Sequence, residues 1–252
     1  MQTTMRATPL PRELAARTLR VVRPRDAADL YRDPAREFRR LAEADLLRPI
    51  ARGYYVIPPT AALDDPEWQP SPESVALAIG QADHGRDAAA LAAVSAARVL
   101  GAVPRGLATA VVAIPARRRP LNTSVAPIHF WNRQAQELDL QRVTTELAEG
   151  WVTTAEQTIL DLADRPRLGG VGAHTASEAI WDLAARSDWE LVRDLSRHQG
   201  REAASARAAW ASAGVAPADI EMPKPRRLVA DKGLESRSGA SAADYGILND
   251  RT

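Results

Sequence analysis

The sequence predicts an α+β fold, an N-terminal winged helix-turn-helix followed by a mixed domain of a small sheet packed with helices. Three observations predict it. A short basic helical stretch from Asp33 runs at once into two strand-like segments, Leu46 to Ile50 and Tyr54 to Ile57, joined through Ala51, Arg52 and Gly53. A proline-rich stretch from Pro58-Pro59 to Ser71-Pro72 follows, with few large apolar residues. Beyond it, alanine-rich helical segments and apolar β runs precede a series of capped helices. The expected organisation is a winged helix-turn-helix over 1–58, a linker over 59–72, a mixed α+β domain over 73–222, and a disordered tail over 223–252.

Each element has a local reason. Pro11 to Leu19 can form a first helix with Leu14, Ala15 and Leu19 on its apolar side, and Pro24 can open a second through Leu30 or Tyr31. In the third, Asp33 can accept orphan helix N–H groups and Pro34 suits the first helical position. Phe38, Leu41 and Ala42 make the buried stripe, which puts Arg36, Arg39, Arg40 and Glu43 on the flanks and outer face. Tyr54 and Tyr55 point to opposite sides, one under the wing and one outward. After the linker, helices are expected from Ser71-Pro72-Glu73 to about Ile79 and over Ala88 to Leu100. Strands follow over Leu107 to Ile114, Val125 to Trp131, Leu140 to Thr145 and Trp151 to Thr153. Thr154-Ala155-Glu156-Gln157 is a capping box, with Gln157 expected to reach back to the helix start. It opens a helix that ends before Pro166. Two more capping boxes announce helices of about 175–186 and 188–199, and Ala203 to Ala213 makes the last. The Arg167 to Gly172 stretch lacks both the Walker and the dinucleotide spacing and reads as a turn between helices.

Charge is unevenly spread. Residues 1–60 hold 12 arginines, no lysine and 7 acidic residues, a net of +5; the remainder carries 21 basic and 25 acidic residues, a net of −4. A basic head on a mildly acidic body suits a polyanion-binding module joined to something else. There is no cysteine, which excludes disulfides and thiolate zinc sites, and no apolar run approaches the roughly 20 residues of a membrane span. With no signal sequence at the start, a cytoplasmic location without membrane contact is expected.

These placements nominate a duplex-binding surface. Arg36, Arg39 and Arg40 are expected to enter the major groove, where arginine reads guanine with a bidentate pair. Arg48 and Arg52, assigned to the region near the hairpin tip, would hold phosphates or lie along the minor groove, and Arg23 or Arg25 would meet backbone. The Arg117-Arg118-Arg119 run reads as a solvated loop, with a second phosphate contact as the sharper alternative. No catalytic, metal or cofactor site is expected. The four histidines have no metal-ligand spacing, and no nucleophile elbow occurs. The only lysines, Lys224 and Lys232, complete no nuclease motif, and the pair Asp161 and Asp164 reads as a helix terminus satisfied by local charge.

Two segments carry a resemblance. The stretch FRRLAEADLLRPIARGYYVIP and the later VTTAEQTILDLADRPRLGGV resemble the AbiEi family, the antitoxins of type IV (abortive infection) toxin–antitoxin systems. The matched positions of the second segment are Thr154, Thr158, Ile159, Leu160, Asp161, Leu162, Pro166, Gly169 and Gly170, and the likeness in element order covers about residues 10–215. The resemblance implies a transcriptional autorepressor. Its head would bind inverted repeats of double-stranded DNA in its own promoter, and its body would neutralise a cognate nucleotidyltransferase-like toxin. It carries over no catalytic or toxin-contact residue. The alternatives are a stand-alone winged-helix transcriptional regulator with a ligand- or protein-sensing C-terminal domain, and a winged helix that binds only protein.

Overall fold

Phe38 and Leu41 organise the first part of the chain in the computed structural model, which describes residues 10–63 and 65–214. The tail expected over 223–252 lies outside the described residues. Helix α2 (Pro34–Glu43) turns both side chains onto Leu14, Val22, Ala27, Leu47 and Ile57, and the Asp33 carboxylate caps its start by accepting the Arg36 amide at 3.1 Å. Tyr31 and Tyr55 meet the Phe38 ring edge-on, with centroids at 6.5 and 5.3 Å. Strands β2 (Arg48–Ala51) and β3 (Tyr54–Val56) form the hairpin expected as the wing, and Gly53 takes φ of +82° in its turn, where a side chain would be strained. A strand absent from the sequence expectation, β1 (Val21–Val22), pairs antiparallel with β3 and gives the order β1-β3-β2.

The first two helices are shorter than their spacing predicts. Helix α1 is one turn, Arg12–Ala15, because the chain is then drawn into β pairing. The Arg20 amide donates to Leu147 at 2.9 Å, and the Arg20 carbonyl accepts the Ile57 amide at 2.8 Å. The second shrinks to a 3-10 turn over Pro24–Ala27, fixed by Asp26, which accepts from both the amide and the guanidinium of Arg23.

The rest is built in layers around a six-stranded sheet, ordered β6-β7-β5-β4-β9-β8. Its strands are β4 (Ala90–Leu91), β5 (Ala110–Ile114), β6 (Leu121–Asn122), β7 (Pro127–Asn132), β8 (Leu140–Thr144) and β9 (Glu149–Thr153). The pairs β4/β9 and β5/β7 run parallel and the other three antiparallel. Strand β5 is buried throughout, and its alternation divides the core. Ala110, Val112 and Ile114 face helix α3 (Pro72–His84), while Val111 and Ala113 face the opposite layer. That second layer holds α4 (Ala93–Val99), α5 (Ala155–Asp164), α6 (Ala173–Ala184), α7 (Trp189–His198) and α8 (Glu202–Ser212). No described helix is long and apolar enough to cross a membrane.

The expected helix over Ala88 to Leu100 is split. Its first half is the central strand β4, and Ala93, at φ +49°, makes the elbow into α4. The alanines here serve close packing rather than helix propensity. A Cβ placed on Gly80 of α3 would fall 2.9 Å from the Ala89 Cβ, so helix and sheet approach only because both residues are small. Helix α3 itself continues past its expected end at Ile79 to His84.

Head and body share a core within one compact unit. Val21, Ile50 and Val56 of the small sheet belong to the same apolar cluster as Val75, Leu77, Ile79 and Val112. The proline-rich stretch is bound along its course. The Arg48 guanidinium donates to the carbonyls of Trp68 at 2.6 Å, Asp65 at 2.7 Å and Ala62 at 3.2 Å, and Ser71 donates to Glu146 at 2.9 Å. Near the end of α3, Asp83 accepts from Arg23, Arg118 and Arg25, and from the Tyr54 hydroxyl at 2.8 Å.

Asp83 is the test of this joint, because its side chain is only 12% exposed and Arg23 is equally covered. Asp83→Ala should lower the free energy of unfolding by roughly 3 kcal/mol, as expected when one partner of a largely buried ion pair is removed. Urea denaturation measures it; a loss no larger than that of an exposed aspartate would show that the cluster contributes nothing to the joint.

Candidate nucleic-acid interface

At about 100° per residue, Arg36, Arg39 and Arg40 fall within one arc of α2 opposite Phe38 and Leu41, and all three are exposed. Their partners differ. The Arg36 side chain has no hydrogen-bond or ion-pair partner among the described residues, and Arg39 leans on the Ala35 carbonyl at 3.3 Å. Arg40 is held by Glu37 at 2.9 Å, an exposed pair worth little and easily exchanged for phosphate or base. Glu43 lies in the same arc and makes that face less basic than the arginines alone would.

Of the two arginines expected near the hairpin tip, Arg52 alone is there. It is exposed and carries no side-chain partner among the described residues. Arg48 is not near the tip, contrary to the sequence expectation. It opens β2 opposite Val56, and its guanidinium is spent on the three linker carbonyls and on the Trp68 ring, 5.5 Å away. The sequence gives no sign of this, because the acceptors are backbone groups of a segment whose path depends on tertiary packing.

The start of the second turn divides likewise. Arg25 is 69% exposed and touches Asp83 at 3.3 Å, so it remains open to a ligand. Arg23 is turned inward onto Asp26 and Asp83, and this pairing raises the Arg23 pKa above its ordinary value. Burial pushes Asp26 up, but its hydrogen bonds and charge interaction with Arg23 outweigh that and hold it below the usual carboxylate range. Both wing tyrosines are half-buried. Tyr55 packs on Phe38, while Tyr54 is covered by the body, where burial and then Asp83 raise its pKa.

The carboxylate pair on α5 is a fastening. Asp161 is fully buried, accepting from Gln157 at 2.9 Å and from Arg201, the residue that precedes α8, at 2.9 Å. Arg201 also donates to the Leu160 carbonyl at 3.0 Å and reaches Asp164 at 3.3 Å. Gln157 therefore does not turn back to the helix start as its capping box predicts. Only Thr154 caps, accepting the Gln157 amide at 3.3 Å. Burial pushes the Asp161 pKa up to about 6 against the opposing pull of Arg201. Two carboxylates tied to one buried guanidinium are poorly placed to exchange protons with a substrate.

The sign of the pH effect follows. An ordinary aspartate titrates near 3.8 and Asp161 near 6, so between these values the folded chain holds the extra proton. Stability from this group is therefore greatest below the lower value and falls as pH rises through the upper one. Arg201→Ala should destabilise the protein by roughly 3–5 kcal/mol above pH 7, where it strands a buried carboxylate. The deficit should shrink near pH 5, where the carboxyl can be neutral. Urea unfolding at both pH values checks this; a pH-independent deficit would refute the role given to Asp161.

No family model matches this chain, and no curated protein matches it.

Proposed function

We propose that the chain is a DNA-binding antitoxin that represses its own toxin–antitoxin operon and neutralises a nucleotidyltransferase-like toxin. The observation that carries the DNA half is the exposed arginine face of α2 beside a wing tipped by Arg52, in a head where Arg23 and Arg48 are turned to internal partners. Arg36, Arg39 and Arg40 read bases in the major groove, and Arg52 and Arg25 hold phosphates. A two-fold operator of inverted repeats suits two copies of such a head. The toxin half rests on the resemblance of the 152–171 segment and its neighbours to AbiEi proteins. The reading assigns no catalytic step to the chain, requires no cofactor and places it in the cytoplasm.

A second reading is favoured by one observation. A cavity of about 530 Å³ opens beside Trp181, bordered by Val103, Arg105, His174 and Glu178. A stand-alone regulator sensing a small ligand there would share the DNA-binding head and need no toxin.

Titrating the protein against the DNA upstream of its own gene tests the head. Each base-reading arginine should contribute roughly 1–3 kcal/mol, so the combined Arg36→Ala, Arg39→Ala and Arg40→Ala variant should lose about a hundredfold or more in affinity and most of its sequence preference. Unchanged operator affinity would sink the assignment of α2. Growth rescue and a stable complex on co-expression with the product of the adjacent gene test the body, and the absence of both would leave the stand-alone regulator.

A further inference from the structure

Arg117, Arg118 and Arg119 lie in the stretch between β5 and β6, and their exposure alternates: the outer two are exposed and Arg118 is half-buried. Arg118 is anchored. It donates to Asp83, reaches the Tyr54 hydroxyl at 3.0 Å, and lies over the Phe130 ring at 4.2 Å and the Tyr54 ring at 5.7 Å. A solvated charge run would have no such anchor. Arg117 and Arg119 have no side-chain partner among the described residues.

The anchor is also a position. Tyr54 is the first residue of β3, directly after the Arg52–Gly53 tip of the wing. Links of about 3.8 Å separate Arg52 from Tyr54 through Gly53, and Arg118 from each neighbour. The following loop is tied to the wing as well, since the Ser124 amide donates to the Ile50 carbonyl of β2 at 2.8 Å. The body loop therefore stands against the wing, with Arg117 and Arg119 on either side of its anchor. At the joint itself, Arg23, Arg25 and Arg118 face only Asp26 and Asp83, which leaves a surplus of one positive charge before Arg52, Arg117 and Arg119 are added.

We infer that the duplex bound by the head continues past the wing onto the body, where Arg117 and Arg119 contact its phosphate backbone. This rests on the DNA-binding reading above and extends it. The body then contributes affinity without sequence preference, because phosphate carries no base information. A duplex presents a charge about every 1.7 Å of its axis, so the two side chains find phosphates in any register.

The test uses the full chain and two duplexes, one carrying the DNA upstream of its gene and one of scrambled sequence, titrated across salt. For the Arg117→Gln, Arg119→Gln double variant, the slope of log affinity on log salt should fall by about 1.8. Affinity should weaken by the same factor, on the order of tenfold at low salt, on both duplexes. A matched control, Arg167→Gln with Arg193→Gln, changes two exposed arginines in the α4–α8 layer and should leave the slope unchanged. If the double variant keeps the wild-type slope while the α2 triple variant loses binding, the head binds DNA and the body does not. An equal drop in the control would reduce the effect to overall charge and overturn the inference. A wild-type protein that binds neither duplex overturns the DNA reading itself, and the inference with it.

Discussion

Asp83 is where the two halves of the protein are made one. A carboxylate near the end of α3, on the body, collects two guanidiniums from the head, a third from the β5–β6 loop, and the hydroxyl of a wing tyrosine. Arginine suits the task better than lysine: its planar fork holds Asp26 and Asp83 together from Arg23, and lets Arg118 stack on aromatic rings while paired. The apolar contacts beneath bring the small sheet against α3, yet apolar contact is non-directional. The carboxylate supplies the direction, fixing which way the wing points relative to the large sheet. A head on a free linker could swing; this one shares its apolar core with the body.

The same device recurs in the second layer. The α4–α8 layer is rich in alanine, which packs closely but offers few large interlocking shapes. Arg201 supplies what the alanines lack, pinning α8 to α5 through Asp161, Asp164 and the Leu160 carbonyl. The cost is a carboxylate whose burial raises its pKa to about 6 despite its partner. A buried ion pair of this kind is weak evidence for stability in itself, but it specifies register between helices that small residues alone would leave free to slide.

The legible parts of the fold were those with local causes. The Asp33 cap, the Phe38 and Leu41 stripe, the Gly53 turn and the Thr154 cap all lie where the spacing puts them, because each depends on neighbours a few residues away. The three missed strands, β1, β4 and β6, are two residues long and owe their existence to partners distant in sequence. The Ala88 to Leu100 run misleads for a physical reason, since alanine is both the best helix former and the residue that lets α3 approach a strand. In the candidate site, the exposed faces of Arg36, Arg39, Arg40 and Arg52 were legible from helix and turn geometry. The diversion of Arg23 and Arg48 was not, because a carbonyl or carboxylate that arrives from another element leaves no trace in local spacing.

Nearly every basic residue in this protein is arginine, so residue identity cannot separate structural guanidiniums from functional ones. Partners can. Arg23, Arg48 and Arg201 each satisfy several acceptors inside the protein, and moving any of them to a phosphate would open a joint. Arg36 and Arg52 satisfy none among the described residues, and Arg40 gives up only an exposed carboxylate. Binding a polyanion would therefore cost these side chains little beyond their rotamer freedom, and the gain from counterion release would be kept nearly whole. On that criterion Arg117 and Arg119 belong with Arg36 and Arg52, and Arg118 between them belongs with the frame. A charge run that looks uniform in the sequence divides in space into one fastening and two free ends.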